Sequence, residues 1–534
     1  MKTWKDLLAD IKKALRGLGR VSERGERLHK TDFVPPPAWS TDEGSPSAKS
    51  LTQNPTQKTS VTLAVDTSTT QPPARTGSPQ TPMFGPRIDG GRSPLMPEWA
   101  GIGRLLQHPE NPGGNRTPMT VRVGIDFGTA FTKVAIRAGP DLVPIEWSAV
   151  TGDHSETGRY LIPGFVVRAP DGEFCWRRLD HADVRGNLKL PVIDQARSDV
   201  CPIEAVAFLA LVIRYARAFL YGNADIGQKL KERSLRWELN IGCPTEPHEN
   251  PEVVETFRHI ARAAWRLAGK ERIHEDDVLA AWSSTDTEIG LETEPGVVPE
   301  FVAQIAGYLK SRQKREGLHA LIDIGAATLD VATFNIVFPN DHEVSPCIPI
   351  FFSAVRPLGT HYLRHDRHSR LGLALSWNDA APVETADDFA REKGISPQEV
   401  TTIDDVFTKR VAECIFHVLD STRTNARGYP QSPAWREGLP LFITGGAADC
   451  PLYRRAIDCA EKAIRERSNN PDFRFIELLH GEQHPVYEAK RINVAVGLTE
   501  DAESIARIVP HRDIERIERP VRPRVDHEEL YGDG

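Results

Sequence analysis

The chain has 534 residues, of which 40% are hydrophobic and 26% charged, as in soluble globular proteins of several domains. Its formal net charge of −8 argues against a dominant nucleic-acid surface, which would usually be basic. Apolar runs are too short for a transmembrane helix or a signal-peptide core. The seven cysteines are scattered and form no CxxC pair, so we expect reduced thiols in the cytoplasm.

Residues 1–30 have the spacing of an amphipathic helix. Trp4, Leu8, Ile11 and Leu15 share one face, and lysines and arginines fill the others. Three roles stay open for the apolar face: packing on the protein's own domain, docking on another protein, or binding a membrane surface. We expect a protein partner, reached through this helix or the linker after it.

The rest of the chain divides by composition. Residues 31–118 are rich in Pro, Ser, Thr and Gln and predict a disordered linker, interrupted by a short apolar island at 99–106. From 119 to 505, strand and helix patterns alternate as in an α/β domain, with long helices at 203–220, 251–268 and 406–419. Residues 506–534 are polar and predict a C-terminal tail.

The first strand–turn–strand unit lies at the start of this domain. A strand at 121–125 leads to Asp126, Gly128 and a second strand at 132–136. The glycine permits unusual backbone angles, and the amides of such a turn can hold phosphate oxygens. An aspartate beside that turn can hold Mg²⁺ through ordered water. Taken alone, the unit is more typical of an ordinary β-hairpin than of a binding site.

A second unit repeats this plan about two hundred residues later. A strand at 318–324 contains Asp323, a turn of small residues follows, and Asp330 lies in the strand at 329–336. The repetition indicates two similar lobes. Two carboxylates facing each other across a cleft repel, and a divalent cation relieves that repulsion.

A third unit is a buried strand at 441–444 that ends in Gly445 and Gly446, before a helix near Pro451. A backbone without side chains can lie flat against a nucleoside. Taken alone, a strand that ends in two glycines is more often a loop than a binding site.

In this order and spacing the three units resemble the actin-like ATPase superfamily, and most of all its 70-kDa heat-shock chaperones. Three further segments resemble parts of that domain: residues 240–245, 299–308 and 494–498. The resemblance covers residues 119–505. It implies a two-lobed α/β fold, a duplicated ribonuclease H-like domain, that closes around Mg-ATP.

The resemblance also implies a role for each matching position. Asp126 and Asp323 would hold Mg²⁺ through water, and Glu300 and Asp330 would orient the attacking water. Lys189 lies roughly where the chaperones keep a catalytic lysine, although an ordinary surface lysine is an equal alternative. The phosphate-binding and nucleoside-binding positions would be Gly128, Thr129, Ala130, Gly325, Ala326, Ala327, Thr328, Gly445 and Gly446.

Two features depart from the chaperone pattern. Ala326 and Ala327 stand where the chaperones have glycines, and because alanine resists positive φ we expect looser phosphate binding and slow hydrolysis. Only residues 386–420 offer candidates for the adenosine-clamping segment. We also expect no peptide-binding β-sandwich, because few residues follow Gly497.

The sequence therefore predicts a chaperone-like molecular switch that binds ATP and ADP with Mg²⁺ and hydrolyses ATP slowly. Two alternatives stay open. One is an actin-like filament or scaffold protein, whose interfaces a sequence does not reveal. The other is a small-molecule kinase on the same fold, for which no sugar-binding signature is found.

Overall fold

The computed structural model describes residues 98–114, 116–176, 183–194, 200–286, 288–339, 345–374, 383–478 and 491–515. The predicted N-terminal helix, residues 31–97 of the predicted linker and residues 516–534 of the predicted tail lie outside these ranges. Within them the chain has a mixed α/β fold with two large sheets and one small sheet.

The strands of the described ranges are β1 (Pro118–Phe127), β2 (Phe131–Ala138), β3 (Asp141–Pro144), β4 (Ile162–Pro163), β5 (Phe165–Arg168), β6 (Phe174–Cys175), β7 (Asp183–Gly186), β8 (Ser234–Cys243), β9 (Gly296–Pro299), β10 (Gly317–Ile324), β11 (Leu329–Ile336), β12 (Cys347–Arg356), β13 (Leu439–Thr444), β14 (Phe475–Glu477) and β15 (Arg507–Val509).

The α-helices are α1 (Ser148–Thr151), α2 (Leu190–Asp194), α3 (Ile203–Gly222), α4 (Gly227–Lys231), α5 (Thr245–His248), α6 (Pro251–Leu267), α7 (Glu275–Ser283), α8 (Glu300–Lys310), α9 (Thr360–Arg370), α10 (Ala386–Lys393), α11 (Pro397–Thr424), α12 (Ala434–Glu437), α13 (Pro451–Ser468), α14 (Asn493–Gly497) and α15 (Ala502–Ile505). Short 3-10 helices cover Glu98–Arg104, Gly158–Tyr160 and His511–Asp513.

The two large sheets repeat one topology. The first has the order β3-β2-β1-β8-β9, and the second contains β12-β11-β10-β13-β14. In each, a hairpin strand pairs antiparallel with its successor (β1 with β2, β10 with β11) and parallel with a later strand (β8, β13). We call the part built on the first sheet lobe 1 and the part built on the second lobe 2. The predicted internal repeat is therefore present as two equivalent sheets.

Each lobe has its own apolar core, and α3 is the main helix of lobe 1. Its sequence is apolar on almost every side, and sixteen of its residues are buried. It packs between the sheet, α6 and the 3-10 helix Glu98–Arg104. Among the described helices, none combines the length and apolar content that crossing a membrane would require.

Residues 98–107 form a strap that packs on α3 and the edge of β8. The α3 side chain of Arg217 is only 1% exposed, stacks 3.6 Å from the Trp265 ring and donates to Gly103 O at 3.4 Å. Gln107 exchanges two hydrogen bonds with the backbone of Leu235, at 2.9 and 2.8 Å. The strap thus covers the buried guanidinium of Arg217 and supplies a carbonyl that accepts from it.

The strap corrects the predicted linker boundary at residue 118. The apolar island that interrupts the linker composition is part of the folded domain, which begins at Glu98 in the described residues. The reason is that α3 has an apolar face beyond what the sheet covers, and the island side chains Ile102 and Leu106 pack against it. Composition averaged over the linker does not reveal so short a contact segment.

The predicted domain end at residue 505 is also corrected. β15 (Arg507–Val509) pairs parallel with β12 and extends the second sheet. Arg512 then donates to Glu249 O, in lobe 1, at 2.9 Å. Polar residues in 507–513 therefore belong to the fold, because strand pairing uses the backbone and does not need an apolar sequence.

Helices α8 and α14 cross in close contact between the lobes. A Cβ placed on Gly497 would overlap Ala303 O, so only a glycine permits this approach. Asn240, on β8, donates from Nδ2 to Leu498 O at 2.8 Å and to Glu500 O at 2.9 Å. The end of the α/β domain is thereby held against β8 of lobe 1.

We predict that the strap is necessary for the stability of lobe 1. A chain starting at residue 98 should melt cooperatively at the full-length temperature. A chain starting at residue 108 should melt about 5 °C lower or more, because uncovering a buried cation and unpairing buried groups each cost about 1–3 kcal/mol. Differential scanning calorimetry of both chains measures this difference, and equal melting temperatures would contradict the strap's role.

Candidate functional site

The equivalent ends of β1 and β10 carry the two predicted aspartates. Asp126 is paired across its hairpin with Lys133, and Asp323 is paired with Asp330. The charge of Asp126 helps to raise the pKa of Asp323, so the two carboxylates lie within electrostatic reach of each other. The structure therefore brings the two turns, one from each lobe, into one site.

Asp126 is held by a lysine that the sequence analysis did not single out. Lys133 Nζ lies 2.8 Å from Asp126 Oδ2, and the two side chains are 19% and 8% exposed. Nζ also lies close to the turn, 3.6 Å from where a Cβ on Gly128 would stand. The signal in the sequence was a lysine near the start of the second hairpin strand, at the position opposite the aspartate.

Lys189 and Glu300 form a second buried ion pair. Lys189 Nζ lies 2.5 Å from Glu300 Oε1, and the side chains are 8% and 14% exposed. Burial raises the pKa of Glu300, and the charge of Asp126 adds to this. Burial works against the charged form of Lys189, but the carboxylate of Glu300 outweighs it and raises the lysine pKa. The surface-lysine alternative for Lys189 is wrong, because the side chain is enclosed.

Asp330 joins the second turn to lobe 1. Its Oδ2 accepts hydrogen bonds from Thr245 N at 3.2 Å and Thr245 Oγ1 at 3.0 Å. Its Oδ1 is buried without a hydrogen-bond partner among the described residues. Burial raises the pKa of Asp330 to about 7, although the bonds from Thr245 oppose the shift. An orphaned carboxylate oxygen in such a place is suited to a water or cation.

Asp323 is the other strongly perturbed carboxyl group. Burial raises its pKa to about 6, and the charges of Glu300 and Asp126 add to the shift. Lys133 and Lys189 lower it again but do not cancel the effect. The site is therefore short of positive charge: its four acidic groups Asp126, Glu300, Asp323 and Asp330 are not neutralised by two lysines.

Both turns present backbone amides without backbone acceptors in the described residues. In the first turn these are the amides of Gly128, Thr129 and Ala130, and in the second those of Ala326, Ala327 and Thr328. The turn residues are partly accessible, apart from Ala327. Backbone amides without acceptors are costly unless a ligand or water accepts from them, and successive amides form concavities that bind anions.

The carbonyls of the second turn are fully used. They accept from the start of α9: Gly359 N to Ala327 O at 3.0 Å, Thr360 N to Gly325 O at 3.2 Å and His361 N to Ala326 O at 2.7 Å. These bonds fix the position of the turn through its carbonyls, and its amides stay available to bind an anion. The helix start therefore acts as a rigid support for the turn.

The positive φ that would make alanine unfavourable at positions 326 and 327 is not found. Every residue of 323–329 is described, and none has a positive φ. Alanine fits this turn without strain, so the loss of glycine gives no reason for looser phosphate binding. Gly128 is likewise outside the left-handed region; it is required because a Cβ there would overlap Phe131 O.

The two glycines after β13 lie beside the second turn. Gly445 has φ +89°, and a Cβ on it would overlap both Asp323 Oδ1 and Ile324 O. Ala447 N donates to Ile324 O at 3.2 Å and holds the two loops together. The buried Thr444 Oγ1 has no hydrogen-bond partner in the described residues. A glycine at 445 is thus required for both its φ and its contact with the carboxylate.

The segment 386–420, expected to clamp adenosine, forms α10 and most of α11. Arg367, on α9, donates to both oxygens of Asp404 at 2.8 and 2.7 Å, and both side chains are buried. Arg367 also donates to Glu384 O at 2.9 Å. This pair joins α9 to α11 and gives Asp404 a packing role.

The carboxylates at the two turns are of the chemical type that would hold a hydrated magnesium ion. The described residues contain no group of three His, Cys, Asp or Glu side chains placed to hold a metal directly. Asp126 and Asp323, one from each lobe, would be the residues that hold such an ion through water; Asp330 Oδ1 and Thr444 Oγ1 are buried and have no hydrogen-bond partner among the described residues. Mg²⁺ keeps several waters and is usually bound by one or two carboxylates together with phosphate oxygens.

Comparisons with known proteins do not assign a family. No family model and no curated protein matches the chain. Among solved structures, the chain is similar to MreB 5 of Spiroplasma citri, in a crystal structure bound to AMPPNP. The identity is 12%, the TM-score is 0.38, and the match covers 72% of this chain and 95% of that chain. A TM-score and an identity this low establish neither the family nor the function of this chain.

We predict that Asp330→Asn stabilises the ligand-free protein at about pH 8 and much less at about pH 5. Burial raises the pKa of Asp330 from 3.8 to about 7 in the folded state. The contribution of this carboxyl to the free energy of unfolding is therefore fully present below pH 3.8 and is lost as the pH rises through 7. A difference of one between the folded-state and unfolded-state pKa is worth about 1.4 kcal/mol, so we expect a melting temperature several degrees higher at pH 8.

The control for this experiment is Asp458→Asn, at an exposed position of α13. It should not alter the pH dependence of the melting temperature. An equal effect of Asp330→Asn at both pH values would show that the carboxyl is not destabilised by burial.

Proposed function

We propose that the chain binds Mg-ATP between its two lobes, hydrolyses it slowly, and acts as a chaperone-like molecular switch on an actin-like ATPase fold. The observation that supports this is the duplication: two equivalent strand–aspartate–turn units meet at one buried acidic site with unpaired amides. One such unit would be an ordinary hairpin. Two that converge supply the positive dipoles and carboxylates that a magnesium-chelated phosphate chain requires.

The phosphates would be held by the two turns. Gly128, Thr129 and Ala130 would contact them from lobe 1, and residues 325–328 from lobe 2. Lys133 is an additional candidate phosphate ligand, because its ammonium lies beside the first turn. On binding it would leave the Asp126 carboxylate and contact a phosphate oxygen instead. Asp126 and Asp323 would hold the hydrated Mg²⁺, which neutralises phosphate charge when bound. Gly445 and Gly446 would lie against the nucleoside.

For hydrolysis we propose Glu300 as the proton acceptor for the attacking water. Its raised pKa moves it towards the range of an effective general base. The 2.5 Å bond to Lys189 keeps the carboxylate oriented but also occupies one oxygen. Asp330 would orient water through its unpaired Oδ1. A base already engaged in an ion pair is consistent with slow turnover.

The switch would act through the contacts that α5 of lobe 1 makes with lobe 2 beside the site. The short helix α5 follows β8 of lobe 1, and its Thr245 bonds to Asp330 of lobe 2. Its neighbour Glu246 accepts from Val355 N at 2.6 Å and from Arg356 Nη1 at 2.9 Å, both on β12. Nucleotide at Asp330 could therefore alter how the lobes meet, which a protein partner would sense.

No observation in the described residues favours a filament interface or a sugar-binding site over the switch. We therefore propose only the switch, acting on a protein partner.

We predict that Mg-ATP raises the melting temperature of the wild-type protein and that Asp126→Ala and Asp323→Ala remove this effect. A ligand at one hundred times its Kd stabilises the native state by about 2.7 kcal/mol. Each variant removes one of the two proposed magnesium-holding carboxylates, so we expect at least tenfold weaker Mg-ATP binding by calorimetry.

The matched control is Asp458→Ala, an exposed aspartate that should leave binding unchanged. Normal Mg-ATP affinity in both site variants, with normal folding by circular dichroism, would refute the proposed site.

We also predict that Glu300→Gln keeps Mg-ATP affinity within about threefold and lowers turnover on the order of 100-fold, as expected for loss of a general base. Single-turnover phosphate release measures the rate, and Glu437→Gln, on the exposed side of α12, is the control. An unchanged rate in Glu300→Gln would remove the proposed role of this residue.

A further inference from the structure

An arginine lies on the second glycine of the proposed nucleoside turn. Arg491 Nη2 donates to Gly446 O at 3.1 Å. A Cβ placed on Gly446 would stand 2.7 Å from Nη2, 3.5 Å from Cζ and 3.7 Å from Nε of this arginine. The guanidinium therefore covers the side of Gly446 that a side chain would otherwise fill.

Arg491 lies next to a helix that packs on lobe 1, whereas the glycine turn that it contacts belongs to lobe 2. Arg491 lies two residues before α14, whose residues Ala495 and Val496 pack with Ala135 and Tyr160 of lobe 1. Gly446 belongs to lobe 2. The guanidinium of Arg491 thus links α14, which packs on lobe 1, to the glycine turn of lobe 2.

The charge of Arg491 has no carboxylate partner among the described residues. Other arginines around this turn do have one; Arg454, for example, pairs with Glu477 at 2.8 Å. Burial lowers the pKa of Arg491, with no described acidic group opposing the shift. A half-buried cation without an anion is costly, and a π-face or an anionic ligand relieves that cost.

The order of groups along the turn indicates which part of a nucleotide Arg491 would meet. Asp323, at the phosphate end, touches Gly445, and Gly446 touches Arg491. A nucleotide with its phosphates between the aspartate turns and its nucleoside along the glycines would therefore bring its base, not its phosphates, to Arg491. A planar guanidinium stacks on an aromatic base, which an ammonium does not reproduce.

We propose that Arg491 stacks on the purine base of the bound nucleotide and gives the site its preference for purine over pyrimidine nucleotides. This rests on the proposed function, because it requires that a nucleotide binds at the aspartate turns. Arg491 acts here as a specificity-determining residue and takes no part in the chemistry.

The test is isothermal titration of the full-length protein with Mg-ATP, Mg-UTP and Mg-tripolyphosphate. Wild type should bind ATP more tightly than UTP. Arg491→Ala should weaken ATP binding about 5- to 30-fold, the range of a cation–π contact, and leave tripolyphosphate binding unchanged. Arg491→Lys should behave like Arg491→Ala, since lysine keeps the charge and a donor for Gly446 O but loses the planar group. Arg436→Ala, on the exposed surface of α12, is the control.

Three outcomes overturn the proposal. Equal losses for ATP and tripolyphosphate would make Arg491 a phosphate ligand. Rescue by Arg491→Lys would mean that only a charge or the bond to Gly446 matters. Unchanged ATP affinity in Arg491→Ala would exclude any contact with the nucleotide. If wild type binds neither ATP nor tripolyphosphate, the proposed function itself fails, and this result is distinct from all three.

Discussion

The repulsion between buried carboxylates is the constraint on which this site depends. The site contains the carboxylates of Asp126, Glu300 and Asp323, which come from two strands and a helix. Because the site is largely buried, water screens their charges poorly and they repel one another. Two lysines offset part of this repulsion: Lys133 on Asp126 and Lys189 on Glu300. The remaining imbalance appears as raised carboxyl pKa values, and binding of a divalent cation would remove it.

The fold creates this repulsion by duplicating one sheet topology and placing the equivalent strand ends opposite each other. Close approach depends on glycine at positions where a Cβ would overlap a neighbour: Gly497 against Ala303, and Gly445 against Asp323. The destabilisation at the site is thus balanced by packing elsewhere, in two apolar cores and in the crossing of α8 and α14.

Particular residues show where sequence reasoning succeeded and failed. The aspartate turns were found because the same strand–Asp–turn pattern occurs twice. Lys133 was missed because its importance comes from its position opposite Asp126, which is a matter of strand register. The looser phosphate binding expected from Ala326 and Ala327 loses its basis, because neither residue has the positive φ that was inferred from the glycines of the chaperones. The domain ends were placed too far inward. Residues 98–107 are held by apolar packing and by side-chain hydrogen bonds, and residues 507–509 by strand pairing, and averaged composition reveals neither kind of contact.

The α/β class, the internal repeat and the aspartates at the strand ends could be predicted from the sequence, because hydrophobic periodicity and turn residues are local properties of the chain. Three contacts required the folded chain: the approach of the two turns to each other, the burial of Lys189 on Glu300, and the position of Arg491 on Gly446. Those contacts join residues far apart in sequence, and charge, burial and desolvation at each of them depend on which distant side chains the fold brings within a few ångströms.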